Sequence, residues 1–176
     1  LSVVIPLFNE ASTVGRLLQK VVIQKVPHWQ IEIIVVDDGS TDNSIKIIRR
    51  LQKLISPLGE PKFQIYRQRH QGRGSALIKG IFKARGNAII FQDADLEYDP
   101  ADWTKLLKEL KNPKIDVVFG SRTINPKKSG YFFYVIGSRI LTGLVNILYG
   151  SNLTDLYTGY KLFNAKILRS LNLNSK

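Results

Sequence analysis

Residues 31–42 read IEIIVVDDGSTD, an almost unbroken apolar, β-branched run that stops at two carboxylates, a glycine and two hydroxyls. A run this short and this apolar predicts a strand, Ile31–Val36, buried on both faces as in a parallel sheet. Ser40-Thr41-Asp42-Asn43 then offers the side-chain acceptors that cap a helix, here predicted over 43–54. The same alternation extends in both directions. Strands are predicted at Ser2–Pro6, Phe63–Arg67, Ala88–Phe91 and Ile115–Phe119. Helices are predicted over 12–23, 74–84 and 100–110, the last opened by Asp99-Pro100. Strands alternating with helices of this length define βαβ units. The expected fold class is α/β: three layers, α/β/α, Rossmann-like, with a mostly parallel central sheet. Ligands of such sheets bind beyond the carboxyl ends of the strands.

The chain has 176 residues, enough for one domain with a real core. With 44% hydrophobic and 23% charged residues it is neither disordered nor fibrous. Cysteine is absent, which excludes disulfides, thiolate metal sites and a Cys nucleophile. The chain opens at Leu1 inside an apolar run and contains no Met, so it reads as a piece of a longer protein. Its net charge of +12 is unevenly spread. Residues 1–104 hold fourteen basic and eleven acidic side chains, residues 105–176 twelve and three. That basic half points either to an anionic partner or to solubilising surface charge. Nucleic acid is not expected, because no RNP-like aromatic pattern or helix-turn-helix signature is present. A dinucleotide-binding Rossmann site is excluded too, since Pro6-Leu7-Phe8-Asn9-Glu10 lacks G-x-G-x-x-G.

Each of three apolar runs ends in acids: Glu10 after the first, Asp37 and Asp38 after the second, and Asp93, Asp95 and Glu97 after the fourth. Carboxylates gathered at one sheet edge repel unless a cation or hydrogen-bond donors compensate. Asp93, Asp95 and Glu97 alternate with apolar residues, so an extended backbone would aim all three to one side. Oxygen ligands without His or Cys suit a hard cation, Mg2+ or Mn2+. Gly72-Arg73-Gly74 opens a helix whose N–H groups, with Arg73, suit an anion. Tyr131–Tyr149 is mostly apolar and near the length of a membrane span, but Ser138, Arg139, Thr142 and Asn146 interrupt it. Ser138, Thr142 and Asn146 form one polar ridge, which predicts a helix lying in a membrane interface, or a buried helix covering the sheet.

IPLFNE, VVDDGSTD, GRGSA, FQDADLEYDP and GSR occur in an order that resembles the family-2 glycosyltransferases of the GT-A fold. The likeness is greatest to the dolichol- or polyprenyl-phosphate mannosyl- and glucosyltransferases and runs across essentially the whole chain. It implies that Pro6, Phe8 and Glu10 line the nucleotide base and ribose, with Phe8 in place of the commoner Tyr. It implies that Asp38, with Asp37 beside it, hydrogen-bonds the base. The Asp93-Ala94-Asp95 triplet resembles the family's D-x-D, which contacts the ribose and holds the metal, and Glu97 stands as a further metal ligand. The family more often has Lys at Arg73 and Asn at His70. Arg122, Arg139, Thr142 and Asn146 resemble positions facing a lipid phosphate, although Ser138 stands where many relatives have Arg. Asp155-Leu-Tyr-Thr-Gly-Tyr-Lys161 resembles a segment near the active site; it either carries Asp155 toward the acceptor or makes a turn.

The expectation is a single catalytic domain over 1–176, with 1–120 binding the nucleotide sugar and 121–176 facing the acceptor. It would be an inverting, metal-dependent glycosyltransferase that moves a hexose from a GDP-mannose- or UDP-glucose-type donor to a polyprenyl or dolichyl phosphate. Asp95, Arg122, Arg139 and Asp155 would serve the chemistry. The expected setting is an anionic membrane surface on the cytoplasmic face, reached peripherally or through segments outside this chain. The rivals are a transferase acting on a sugar hydroxyl in a cell-surface polysaccharide, which needs a base, and a non-catalytic nucleotide-sugar-binding domain.

Overall fold

A computed structural model describes residues 1–55, 57, 59, 61–121 and 132–173, with side chains from 136 onward in the last stretch. Four βα repeats come first: β1 Ser2–Leu7, α1 Val14–Val22, β2 Glu32–Asp37, α2 Ser44–Ile55, β3 Lys62–Arg67, α3 Arg73–Lys83, β4 Ala88–Phe91 and α4 Trp103–Leu110. There follow β5 Val117–Phe119, α5 Phe132–Tyr149, β6 Lys161–Asn164 and α6 Ala165–Ser170. The six strands form one sheet in the order β3-β2-β1-β4-β6-β5. β3, β2, β1 and β4 are parallel, whereas β6 runs antiparallel to both β4 and β5.

Alternation along the buried strands sends side chains to two cores. Val3, Ile5, Leu7, Ile33, Val35 and Ile90 pack on α1, α2 and α4. Val4, Ile34, Val36, Ile89 and Phe91 pack on α3 and α6. The three layers follow from that division.

The predicted caps are made. Asp42 Oδ1 accepts from Ser44 N at 2.9 Å, and Asp99 Oδ1 accepts from Ala101 N at 3.1 Å, opening a 3-10 turn, Pro100–Asp102, ahead of α4.

The sheet also positions the site. The β1–β4 ladder ends at Val4↔Phe91, while β1 continues beside β2 to Leu7↔Asp37. A crevice therefore opens between the carboxyl ends of β1 and β4, where the chain order reverses and α/β sheets bind ligands. Two elements were not anticipated from the sequence. β6 begins at Lys161, the last residue of the D-x-x-T-G-Y-K run, α6 follows it directly, and β6 holds β4 and β5 apart as their common neighbour.

Candidate active site

The first two loops are laced together at the sheet edge. Asn9, at φ 54, turns its carboxamide so that Oδ1 accepts from Thr41 N at 2.9 Å. Ser40 Oγ, Ser44 Oγ and Asp42 Oδ2 accept from the N–H groups of Asn9, Glu10 and Ala11 at 3.0, 2.8 and 3.0 Å. Glu10 itself accepts from Thr13 Oγ1 at 2.7 Å. Pro6 lies buried in β1, beyond the last residue paired with β4, where its missing N–H leaves no broken ladder. Gly39, at φ 80, lets the loop after β3 approach closely, since a Cβ there would stand 3.0 Å from His70 N.

Asp37 and Asp38 are buried, not presented to solvent. Asp37 accepts from Ser40 N at 3.1 Å and lies 3.0 Å from Arg67 Nε. Asp38 gathers Gln68 Nε2 and Gln71 N on one oxygen at 2.7 and 2.9 Å. Gly72 N and His70 Nδ1 lie 2.8 Å from the other. Burial alone would raise the Asp38 carboxyl, but the donors from Gln68, Gln71 and Gly72 and the nearby imidazole outweigh it and hold the group below its usual value. In this structure Asp38 clamps the turn that starts α3.

His70 stacks on Phe8 with ring centroids 4.1 Å apart and 25° between planes. Phe8 remains 41% exposed, so the pair forms an aromatic ledge. Gly39, Arg67, Gln68, Arg69 and His70 line an open pocket of about 490 Å³ beside it.

The acidic turn after β4 departs from the extended form expected. Leu96 takes φ 67, and Asp95 Oδ1 accepts from Glu97 N at 2.9 Å, so the backbone folds back on itself. Short polar side chains favour this local bond over an extended backbone. Asp95 and Glu97 are exposed, while Ala94 is buried. Asp93 is largely enclosed, and Arg73 grips it: Nε donates to Oδ1 at 2.9 Å, and Nη2 donates to Oδ1 and Oδ2 at 2.7 and 3.0 Å. Burial raises the Asp93 carboxyl; Arg73 opposes that, and the charges of Asp95 and Glu97 add to it. Among the described residues, no three His, Cys, Asp or Glu side chains stand close enough to hold a metal ion by themselves.

Behind this turn lies a support the sequence did not reveal. Gln92 Oε1 accepts from Trp103 Nε1 at 3.2 Å and from Tyr160 Oη at 2.6 Å, while Gln92 Nε2 donates to Asp93 O at 3.2 Å. Tyr98 Oη accepts from Gly159 N at 2.6 Å, and a Cβ at Gly159 would stand 2.5 Å from Asp93 Oδ2. Lys161 is a further cation of the site. It opens β6 opposite Phe91 and Phe119, half-buried at the same sheet edge. Burial lowers its ammonium and Arg73 adds to that, against the raising effects of Asp93 and Asp155. The D-x-x-T-G-Y-K run contains Lys161, and that run was the one signal that pointed to it.

On the acceptor side, Arg122 lies outside the described residues. The polar ridge of α5 faces the protein. Thr142 Oγ1 donates to Ser138 O at 2.7 Å and accepts from Leu156 N at 3.1 Å. Asn146 Oδ1 accepts from Ser151 Oγ and Leu153 N at 2.8 and 2.9 Å, and Nδ2 donates to Leu153 O at 2.9 Å. Ser138 Oγ donates to the buried Asp155 at 3.3 Å. Asp155 also accepts from Tyr157 N at 3.1 Å. Arg139 and the apolar Ile140, Leu144 and Ile147 face outward. Among the described residues, no helix is long and apolar enough to cross a membrane.

This chain trace is that of the GT-A glycosyltransferases. It matches a mannosyltransferase from Pyrobaculum calidifontis, solved with GDP-Man and Mn2+, at a TM-score of 0.74 and 21% identity, covering 99% of this chain and 47% of that one. It matches glucosyl-3-phosphoglycerate synthase from Mycobacterium tuberculosis at a TM-score of 0.71 and 20% identity, covering 97% of this chain and 58% of that one. The sequence fits the profile of Glycosyl transferase family 2 over residues 2–171, and the chain belongs to that family. Among its relatives, the dodecaprenyl-phosphate galacturonate synthase of Rhizobium johnstonii is 35% identical over 98% of this chain and 50% of its own length. The dolichol-phosphate mannosyltransferase of Pyrococcus furiosus is 28% identical over 98% of this chain and 48% of its own length. The chain thus spans about half the length of both.

Proposed function

We propose that this domain catalyses inverting transfer of a hexose from a GDP-mannose- or UDP-glucose-type nucleotide sugar to a polyprenyl or dolichyl phosphate. The observation that carries this reading is the gathering of Phe8, Asp38, Arg73, Asp93, Asp95 and Lys161 at one sheet edge, in a chain whose relatives include transferases named for polyprenyl phosphates. The Phe8–His70 ledge would receive the base. Asp38 would hold the loop beneath it and present the Gln68–Gly72 backbone. Pro6 and Glu10 would shape the same wall from β1, and Asp37 would anchor it through Arg67.

Asp95 and Glu97, with Asp93, are the residues that would hold Mg2+ or Mn2+. Their chemistry fits, because such ions are commonly bound by one or two carboxylates plus substrate phosphates, not by a full protein cage. When bound, the ion supplies charge that offsets the negative charge developing on the departing nucleoside diphosphate. Arg122 and Arg139 would orient the acceptor phosphate for attack on the anomeric carbon from the opposite face, which inverts it. A phosphate acceptor is already ionised at neutral pH and needs no base. Asp155 would then only position the 151–157 loop, consistent with its burial and its bonds from Ser138 and Tyr157. The outward apolar face of α5 would rest on the membrane that carries the lipid.

Calorimetric titration with a panel of nucleotide sugars, with Mn2+ and with chelator, tests the donor half. Chelation and Asp95→Asn should each weaken binding at least about tenfold, equivalent to about 1.4 kcal/mol. For the acceptor half, Asp155→Asn should retain transfer to polyprenyl phosphate. Transfer to a free sugar hydroxyl that is lost in Asp155→Asn would overturn the lipid-phosphate reading.

A further inference from the structure

Asp93 and Arg73 carry two expectations that collide. Asp93 belongs to the acidic turn suited to a divalent cation, and Arg73 is the cation suited to a diphosphate, yet the structure pairs them with each other. The pairing is not a loose surface contact. Three donor–acceptor distances of 2.7–3.0 Å engage both oxygens of Asp93, and the carboxylate is only 19% exposed. Guanidinium forks match carboxylates and phosphates alike, so Arg73 is equipped for either partner.

The position of Arg73 adds a second observation. It is the first residue of α3, an eleven-residue helix, and a cation at a helix N-terminus is held against the macrodipole. The N–H groups of Gln71 and Gly72 just ahead of it are given to Asp38, which fixes where α3 begins. Arg73 therefore springs from a rigid point, beside an acidic turn that needs a counter-charge and at an end of a helix that favours an anion. Its side chain is about half exposed, so it has room to turn from one to the other.

We infer that the Arg73–Asp93 ion pair is a latch that makes divalent-cation binding conditional on the nucleotide diphosphate. Without donor, Arg73 is the counter-ion of the acidic turn and competes with a divalent cation for Asp93. When a diphosphate arrives, Arg73 exchanges Asp93 for phosphate oxygens and Asp93 is released to join Asp95 and Glu97. One internal ion pair is replaced by two, so the donor and the cation bind with positive coupling, and the coupling is reciprocal. Arg73 acts here through Asp93 and is a positioning residue. This inference rests on the donor reading above.

The test is Mn2+ binding to the 1–176 chain, followed by electron paramagnetic resonance, with GDP and UDP as the diphosphate probes. Without nucleotide, Arg73→Gln should bind Mn2+ about tenfold or more tightly than the parent chain, because Asp93 is then freed from the bidentate competitor that occupies both its oxygens. Arg73→Lys should fall between them, since an ammonium cannot reproduce the fork. The factor by which the better nucleotide tightens Mn2+ should shrink in Arg73→Gln. In an Asp93→Asn background, Arg73→Gln should no longer change Mn2+ affinity. Circular dichroism and thermal melting confirm that each variant is folded.

Mn2+ affinity within about twofold of the parent in Arg73→Gln would overturn the latch. So would a tightening that persists in the Asp93→Asn background, which would mark a general charge effect. If the parent chain binds neither GDP nor UDP with Mn2+ present, the donor reading fails. The nucleotide-free Mn2+ titration still decides whether Arg73 competes for Asp93.

Discussion

Asp38 is the residue whose role changes most between the linear chain and the folded one. A carboxylate after a strand is easily read as a group presented to a ligand. Here it is buried beneath the turn it organises, with two backbone N–H groups, an amide and an imidazole around it. Its proton affinity is lowered because those donors favour the ionised form more strongly than burial disfavours it. The folded value thus lies below the unfolded one. The resulting stability is fully present above the ordinary aspartate value of about 4 and is lost as pH falls through the folded value. Asp38→Asn should lower stability by about 1.5–3 kcal/mol at pH 7 and flatten the acid limb of a melting-temperature profile below about pH 4. An unchanged acid limb would show that the clamp does not depend on the charge.

α5 presents an unusual division of its surface. Its hydroxyl and amide side chains point toward the 151–157 loop, and its larger aliphatic side chains point away from the protein. The reason lies in the loop. Backbone N–H groups of Leu153 and Leu156 have no strand to pair with, and Asn146 and Thr142 accept from them. Thr142→Val keeps the shape and removes the acceptor, leaving a partly buried N–H without its bond. The expected cost is about 1–3 kcal/mol, read as a lower urea midpoint with an unchanged slope. A neutral outcome would mean that water replaces the hydroxyl.

Seen as one body, the chain combines a basic charge balance with an apolar helix surface in its second half. Residues 105–176 supply most of the +12 charge, and the same half carries Ile140, Leu144 and Ile147, which are 66%, 51% and 81% exposed. If the domain rests on an anionic membrane, each basic side chain near the surface contributes about 1 kcal/mol. Vesicles containing phosphatidylserine or phosphatidylglycerol should bind the chain in a co-sedimentation assay, and binding should fall as salt rises. Ile140→Glu with Ile147→Glu should weaken it further at constant salt by removing the apolar part of the contact. Equal binding of the double variant would exclude α5 from the membrane contact.

Much of this organisation is legible from the linear chain. Val3 to Leu7, Ile33 to Val36 and Ala88 to Phe91 are continuous apolar runs because they are buried on both faces, and that requirement writes itself into consecutive residues. Asp42 and Asp99 act within two residues of themselves, so their capping roles need nothing distant. The carboxylates follow strands at the edge where α/β sheets in general bind ligands, and their order along the chain survives folding. Other features have no local cause. Lys161–Asn164 has too few residues to show a period and is a strand only because β4 and β5 bond it on both sides. Arg73 and Asp93 stand twenty residues apart, and each would suit another partner; only the packing of α3 across β1 and β2, with β4 beside β1, brings them together. The polar ridge of α5 is visible in its spacing, but spacing gives a face and not its direction. The loop that the ridge satisfies comes later in the chain, and the Leu153 and Leu156 N–H groups that Asn146 and Thr142 accept from decide which way the helix turns.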